Sequence, residues 1–162
     1  ESCEVTAHLS AMVFMILIGA AMLSLVFRGF GGDEAVQHLI ASVHGGPFVA
    51  LAGVMLIMFL LGFILDFIEI IFVIVPTVAP ALLMAGIDPI WLAILISLNL
   101  QTSFLTPPFG FALFYFRSSA PPEISTRDIY LGVIPFILIQ IAVLGMVALV
   151  PDLATWLPYA LR

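Results

Sequence analysis

The chain has 162 residues, 64% hydrophobic and only 9% charged, with a mean hydropathy of +1.30. Soluble domains carry roughly a quarter charged residues, so a water-soluble enzyme is excluded. Four arginines, no lysine and ten acidic residues give a net charge of −6, which leaves no basic footprint for nucleic acid and no polybasic patch for anionic lipid.

The solvent is therefore lipid, and the chain divides into apolar runs and their interruptions. It opens on Glu1 with no basic n-region ahead of its first apolar run, as expected of an internal or C-terminal piece of a longer membrane protein. Cys3 alone supplies neither an internal disulfide nor a thiolate metal site. Ala7 to Phe27 is a run of 21 residues with no formal charge, about 30 Å as a helix and enough for one bilayer core. Glycines then bracket a short segment in which Ala35, Val36, Leu39, Ile40 and Val43 recur at helical spacing opposite Glu34, Gln37 and His38. That spacing predicts an amphipathic helix in the membrane interface.

Phe48 to Leu65 and Phe67 to Met84 are two 18-residue apolar runs separated only by Asp66, the second carrying Glu69. Three readings compete: two full spans, one over-long helix, or a re-entrant hairpin with its tip at Gly62 to Glu69. Carboxyl groups at the tip favour the hairpin, because non-helical backbone at membrane depth must be surrounded by protein or line a watery cavity. Ile90 to Phe116 is too long for one span, at 27 uncharged residues. Pro107 and Pro108 interrupt it, and Asn99, Gln101, Thr102, Ser103 and Thr106 precede them. Proline removes a backbone donor and turns the residue before it away from helix, so a polar break is expected there.

Beyond Phe116 lies a polar connection with Pro121 and Pro122, and a capping signal in which Ser125 stands three residues before Asp128. Ile129 to Val150 reads as an ordinary span kinked at Pro135. Trp91, Tyr115, Tyr130, Trp156 and Tyr159 fall near expected span ends, as interfacial aromatics do. Arg117 and Arg127 in one short loop, with Asp33, Glu34 and Asp88 opposite, put the 117 to 128 loop in the cytoplasm by the positive-inside tendency.

A broken helix bares N–H groups at one half-helix and carbonyl groups at the other. Carbonyl and hydroxyl oxygens suit a small hard cation, and a half-helix N-terminus suits an anion. Secondary transporters combine the two at discontinuous helices. Catalysis fares worse: Asp66 has no second buried aspartate, no histidine stands near a membrane serine, and no phosphate loop is present. An enzyme is not expected.

The strings GFILDFIEI, the proline pair Pro76 and Pro80, GIDP at Gly86 to Pro89 and NLQTSFLTPPFGFALFYFR at Asn99 to Arg117 resemble the large membrane subunit of tripartite ATP-independent periplasmic (TRAP) transporters. The resemblance covers nearly the whole chain. It implies an all-α membrane protein, one inverted repeat of an ion-transporter-superfamily elevator fold with a re-entrant helical hairpin and a broken helix. On that pattern residues 1–30 are a scaffold transmembrane helix and 31–46 an interfacial arm. Residues 47–86 are the hairpin and 87–117 the broken helix of a mobile transport domain. Residues 118–130 form a cytoplasmic loop and arm, and 131–162 the C-terminal scaffold helix.

The resemblance further implies a sodium site from Gly62, Ser103, Thr106 and Phe109. Thr106 gives its hydroxyl there, and Ser103, where relatives often have glycine, gives its hydroxyl or only its carbonyl. Asp66, Asn99, Gln101, Thr102, Pro107 and Pro108 face the substrate cavity. The implied setting is a bacterial inner membrane, with Na+ as coupling ion and an organic acid as substrate. The implied partners are the missing N-terminal repeat, a small permease subunit, a periplasmic solute-binding protein and the lipid bilayer. The alternatives are a scaffold or assembly fragment with no transport of its own, and a binding-protein-independent anion:sodium symporter of the same superfamily.

Overall fold

The structure, a computed structural model, describes residues 2–42, 45–63, 65, 67–107, 110, 112–113, 116–117, 120–121 and 123–161. Every regular element among the described residues is helical. α1 (Ser2–Gly29) and α2 (Gly32–Ser42) come first. α3 (Pro47–Leu61) and α4 (Phe67–Met84) follow, then α5 (Pro89–Leu105), α6 (Thr126–Leu149) and α7 (Asp152–Ala160).

α1 has 28 residues, about 42 Å at 1.5 Å per residue, so the helix outruns the 21-residue apolar run. Its outer residues Phe14, Met22 and Leu25 are exposed, as a lipid-facing helix requires. The axis then bends by 76° between Phe14–Gly29 and Glu34–Ile40. On α2 the buried positions are narrower than the expected stripe. Ile40 is buried and Val36 half-buried against α4, whereas Leu39 is exposed.

α3 and α4 form an antiparallel hairpin: Gly46 and Pro47 at the start of one arm line the same small cavity as Ala81, Met84 and Ala85 at the end of the other. The first arm has 15 residues, about 22 Å, and stops short of a bilayer core of about 30 Å. α4 has 18 residues and is apolar enough to cross one, as is α6 with 24. Within α4, Ile70–Ile74 is a π-helical turn closed by the Val75 N–H to the Ile70 carbonyl. The cause is Pro76, which lacks an N–H and whose ring would strike the carbonyl four residues back; widening the turn relieves both.

α5 is the central element and touches α3, α6 and α7. Asp88 caps it: its Oδ1 accepts from the N–H groups of Ile90 and Trp91, both at 2.9 Å, and Pro89 occupies the first turn. Met58, Ile70, Leu82 and Leu95 are fully enclosed in the core that α5 shares with the hairpin. In lipid such burial brings no hydrophobic gain, so close packing and hydrogen bonds between helices carry the association.

Trp91 stands in the first turn of α5, as its place near a span end predicts, but it is packed inside the bundle: it is 3% exposed, and its Nε1–H donates to the Val147 carbonyl on α6 at 2.7 Å. That carbonyl has no helical donor, because the residue four ahead is Pro151. The expected capping box is present, with the Ser125 Oγ accepting from the Asp128 N–H at 3.2 Å. α6 continues unbroken through Tyr130 and Pro135, so the arm and scaffold expected on either side of residue 130 share one helix. The span expected from Ile129 to Val150 does end there, with α6 closing at Leu149, and the rest of the 131–162 stretch adds a separate short helix, α7.

Candidate functional site at the hairpin tip

The hairpin tip packs on the C-terminal end of α5, and the contact is made by a missing side chain. Gly62 is buried, and a Cβ there would lie 2.2 Å from the Ser103 Oγ and 2.9 Å from the Ser103 Cβ. Only glycine lets the tip backbone approach this closely. A second tie lies one turn lower, where Asn99 Nδ2 donates to the Met55 carbonyl of α3 at 2.9 Å. On the other arm the rings of Phe67 and Phe104 meet edge to face with centroids 5.7 Å apart.

The break in α5 falls where the proline pair requires it. Thr106 is extended, at φ −85° and ψ 126°, and its N–H turns back to the Ser103 carbonyl. Its hydroxyl donates to the Thr102 carbonyl at 2.7 Å. Thr102 and Ser103 likewise donate their hydroxyls to the carbonyls of Leu98 (2.7 Å) and Leu100 (3.0 Å). A hydroxyl that has given its proton to a carbonyl keeps its oxygen lone pairs outward, the state in which it can meet a cation.

Gly110 sits over this end. Its N–H donates to the Thr106 carbonyl at 3.1 Å, and a Cβ on it would lie 2.7 Å from the Phe104 carbonyl oxygen and 3.0 Å from that of Thr106. Carbonyl oxygens thus crowd one small volume at the helix end, where the dipole is negative. Between residues 47 and 107 the charged side chains are Asp66 and Glu69 at the tip and Asp88 at the start of α5. The oxygens gathered at the end of α5 are themselves neutral carbonyls and hydroxyls, of the kind that suits a small cation.

Of the residues expected from sequence, Gly62 and Ser103 are brought into contact, with Thr106 on the same helix end and half-buried. Phe109, Asp66 and Pro108 lie outside the described residues. Pro107 is half-buried in the turn. Among the described residues, the expected cavity members line two spaces. Asn99 and Thr102 line a cavity of about 630 Å³ between α3, α5 and α6, whereas Gln101 lines another of about 640 Å³ between α4, α5 and α6. Glu69 is half-buried in the first turn of α4.

Two participants escaped sequence reasoning. The Met55 carbonyl has no signal, because any residue supplies one. Gly110 had one: a glycine three residues past the proline pair's threonine-proline junction is where a chain can fold back onto carbonyls.

Comparison with known proteins gives a consistent result. Residues 1–153 match the family described as tripartite ATP-independent periplasmic transporter, DctM component. The chain is 25% identical over 158 residues to the sialic acid TRAP transporter large permease protein SiaM of Vibrio cholerae, covering 98% of this chain and 36% of that one. It is 28% identical over 150 residues to the C4-dicarboxylate TRAP transporter large permease protein DctM of the same species, covering 93% and 33%. Similarity to the ectoine TRAP transporter large permease protein TeaC of Halomonas elongata is 27% over 152 residues, covering 94% and 35%. The chain spans about a third of the length of these relatives.

Proposed function

The chain belongs to the DctM component family of tripartite ATP-independent periplasmic transporters, and on that premise we propose that it is part of a sodium-coupled secondary transporter's large permease. Its part in transport is to supply one hairpin and one broken helix. The substrate is an organic solute of the kind its relatives' names record, which include sialic acid, C4-dicarboxylates and ectoine. A carboxylate is the group these share, and a half-helix N-terminus or a bound cation is the chemistry that receives it. The remaining two thirds of a relative's length leaves room for a second repeat of the same subunit. The other partners are a small permease subunit and a periplasmic solute-binding protein, in a bacterial inner membrane.

The observation that supports sodium coupling is the contact of Gly62 with Ser103 beside the extended Thr106. A cation held by the Thr106 hydroxyl and by carbonyls of the tip and the break ties the hairpin to α5. Without it the like-facing carbonyl dipoles repel. The ion and the substrate are then coupled through shared backbone, since the ordered tip forms one wall of the solute site. The first arm, too short to cross the bilayer core, fits a hairpin that enters and leaves on one side and keeps its tip at depth.

The test is sodium-dependent uptake by the complete transporter in liposomes. Thr106→Ala should raise the sodium concentration for half-maximal uptake about tenfold, the order expected for losing one oxygen contact to a charge. Thr106→Ser, which keeps the oxygen, should restore it. An unchanged sodium dependence in Thr106→Ala overturns the site.

A further inference from the structure

The first arm of the hairpin meets α5 along one seam. Asn99 and Ser103 are four residues apart on α5, and Met55 and Gly62 seven apart on the arm, so each pair occupies one helix face. Where Gly62 meets Ser103, the polar groups are already engaged locally. The Gly62 N–H donates to the Met58 carbonyl at 2.9 Å, and the Ser103 hydroxyl donates to the Leu100 carbonyl at 3.0 Å. That contact is therefore one of packing. A turn earlier on α5, Asn99 Nδ2 crosses to the Met55 carbonyl at 2.9 Å. Only the NH₂ end of an amide can face a carbonyl, so the acceptor fixes the orientation of the Asn99 side chain. Met58, on the arm between the two contacts, is fully enclosed.

We infer that Asn99 is a positioning residue: its hydrogen bond sets how far the first arm rides along α5, and so holds Gly62 against Ser103 where the cation site forms. The inference rests on the sodium site proposed above. Asn99 borders the cavity of about 630 Å³ between α3, α5 and α6, yet it is 3% exposed and its donor is committed to Met55, which suits a tie better than a solute contact. Apolar packing gives helices in lipid no hydrophobic attraction, so a hydrogen bond between them weighs more in setting their register. It also weakens steeply once its angle or length departs from the ideal, whereas a packed contact can slide. Without the Asn99 bond the tip leaves Ser103 for part of the time, and the apparent sodium affinity falls in proportion to the competent fraction.

The experiment measures uptake by the complete transporter in liposomes as sodium and solute are varied, with Asn99→Leu, which has a similar shape and no donor. The sodium concentration for half-maximal uptake should rise about threefold to tenfold, the range of one hydrogen bond between membrane helices. The half-saturating solute concentration should be raised at low sodium and return to the native value at saturating sodium, because excess ion re-forms the site. Asn99→Ser, whose short hydroxyl bonds its own turn instead, should give the same pattern and serves if Asn99→Leu does not assemble. A sodium midpoint unchanged in an assembled variant overturns the inference. If Thr106→Ala still raises that midpoint, the cation site stands without Asn99; if neither substitution moves it, both fall. A solute requirement that stays raised at saturating sodium also overturns the inference, because Asn99 would then touch the solute. So does a loss confined to the amount of assembled transporter, which would make Asn99 a general tie of the bundle.

Discussion

Replacing Gly62 with alanine tests whether the hairpin tip is held against α5 by close approach of backbone to side chain. The new Cβ would lie 2.2 Å from the Ser103 Oγ and 2.9 Å from the Ser103 Cβ, with the Met58 carbonyl at 3.4 Å. Rotating the Ser103 hydroxyl relieves the first clash but not the second, since the Ser103 Cβ is carried by the α5 backbone. The tip must therefore lift, an overpacking penalty of about 1–3 kcal/mol. Ser103→Gly removes both obstructing atoms and by itself costs about 1 kcal/mol for a glycine in a helix. The double variant should then be more stable than Gly62→Ala alone, with a favourable coupling of about 1–2 kcal/mol. The assay is equilibrium unfolding of the complete permease in detergent with choline in place of sodium, so that packing is scored apart from ion binding. Additivity of the two changes within about 0.5 kcal/mol would refute the close approach.

Further expectations concern the ties around α5. Trp91→Phe removes the donor to the Val147 carbonyl, which Pro151 leaves without a helical partner, and should destabilise by about 1–3 kcal/mol; restoring a donor with Pro151→Ala should recover part of the loss in the same unfolding assay. Asp88 is held below its ordinary carboxylate value of 3.8, first by the Tyr159 hydroxyl and then by the Trp91 N–H, with burial opposing. Because the folded value is the lower one, its stabilising contribution is complete above 3.8 and is lost as the pH falls through the folded value. Tyr159→Phe should flatten that acid limb of a stability–pH profile, and a limb unchanged by the substitution would remove Tyr159 as its cause. Asp88→Ala, which deletes the cap of α5, should cost about 0.5–2 kcal/mol at neutral pH, read by thermal unfolding.

The apolar content, the positions of the helices and the break after Thr106 were legible in the sequence because each rests on a local rule. Two consecutive prolines after Thr106 take away two backbone donors in a row and end the helix there, and a Ser followed three residues later by Asp caps one. Charge scarcity likewise marked lipid as the solvent without reference to any contact. The motif run around Thr106 to Gly110 carried the family before any geometry was known.

What the tertiary structure decided is which local features meet. Periodicity could not choose among two spans, one long helix and a hairpin for 48–84; the meeting of Gly46 and Pro47 with Ala81 and Met84 rules out the single long helix and leaves an antiparallel pair. Nor could sequence tell that Asn99 ties α5 to the Met55 carbonyl, since a backbone acceptor carries no residue identity. Trp91 shows the limit most directly: its place near a span end was legible, but not that a proline 60 positions on leaves a carbonyl that its indole satisfies. Gln101 and Asn99, two positions apart on one helix, open into different cavities, because two residues of helix turn a side chain by about 200°.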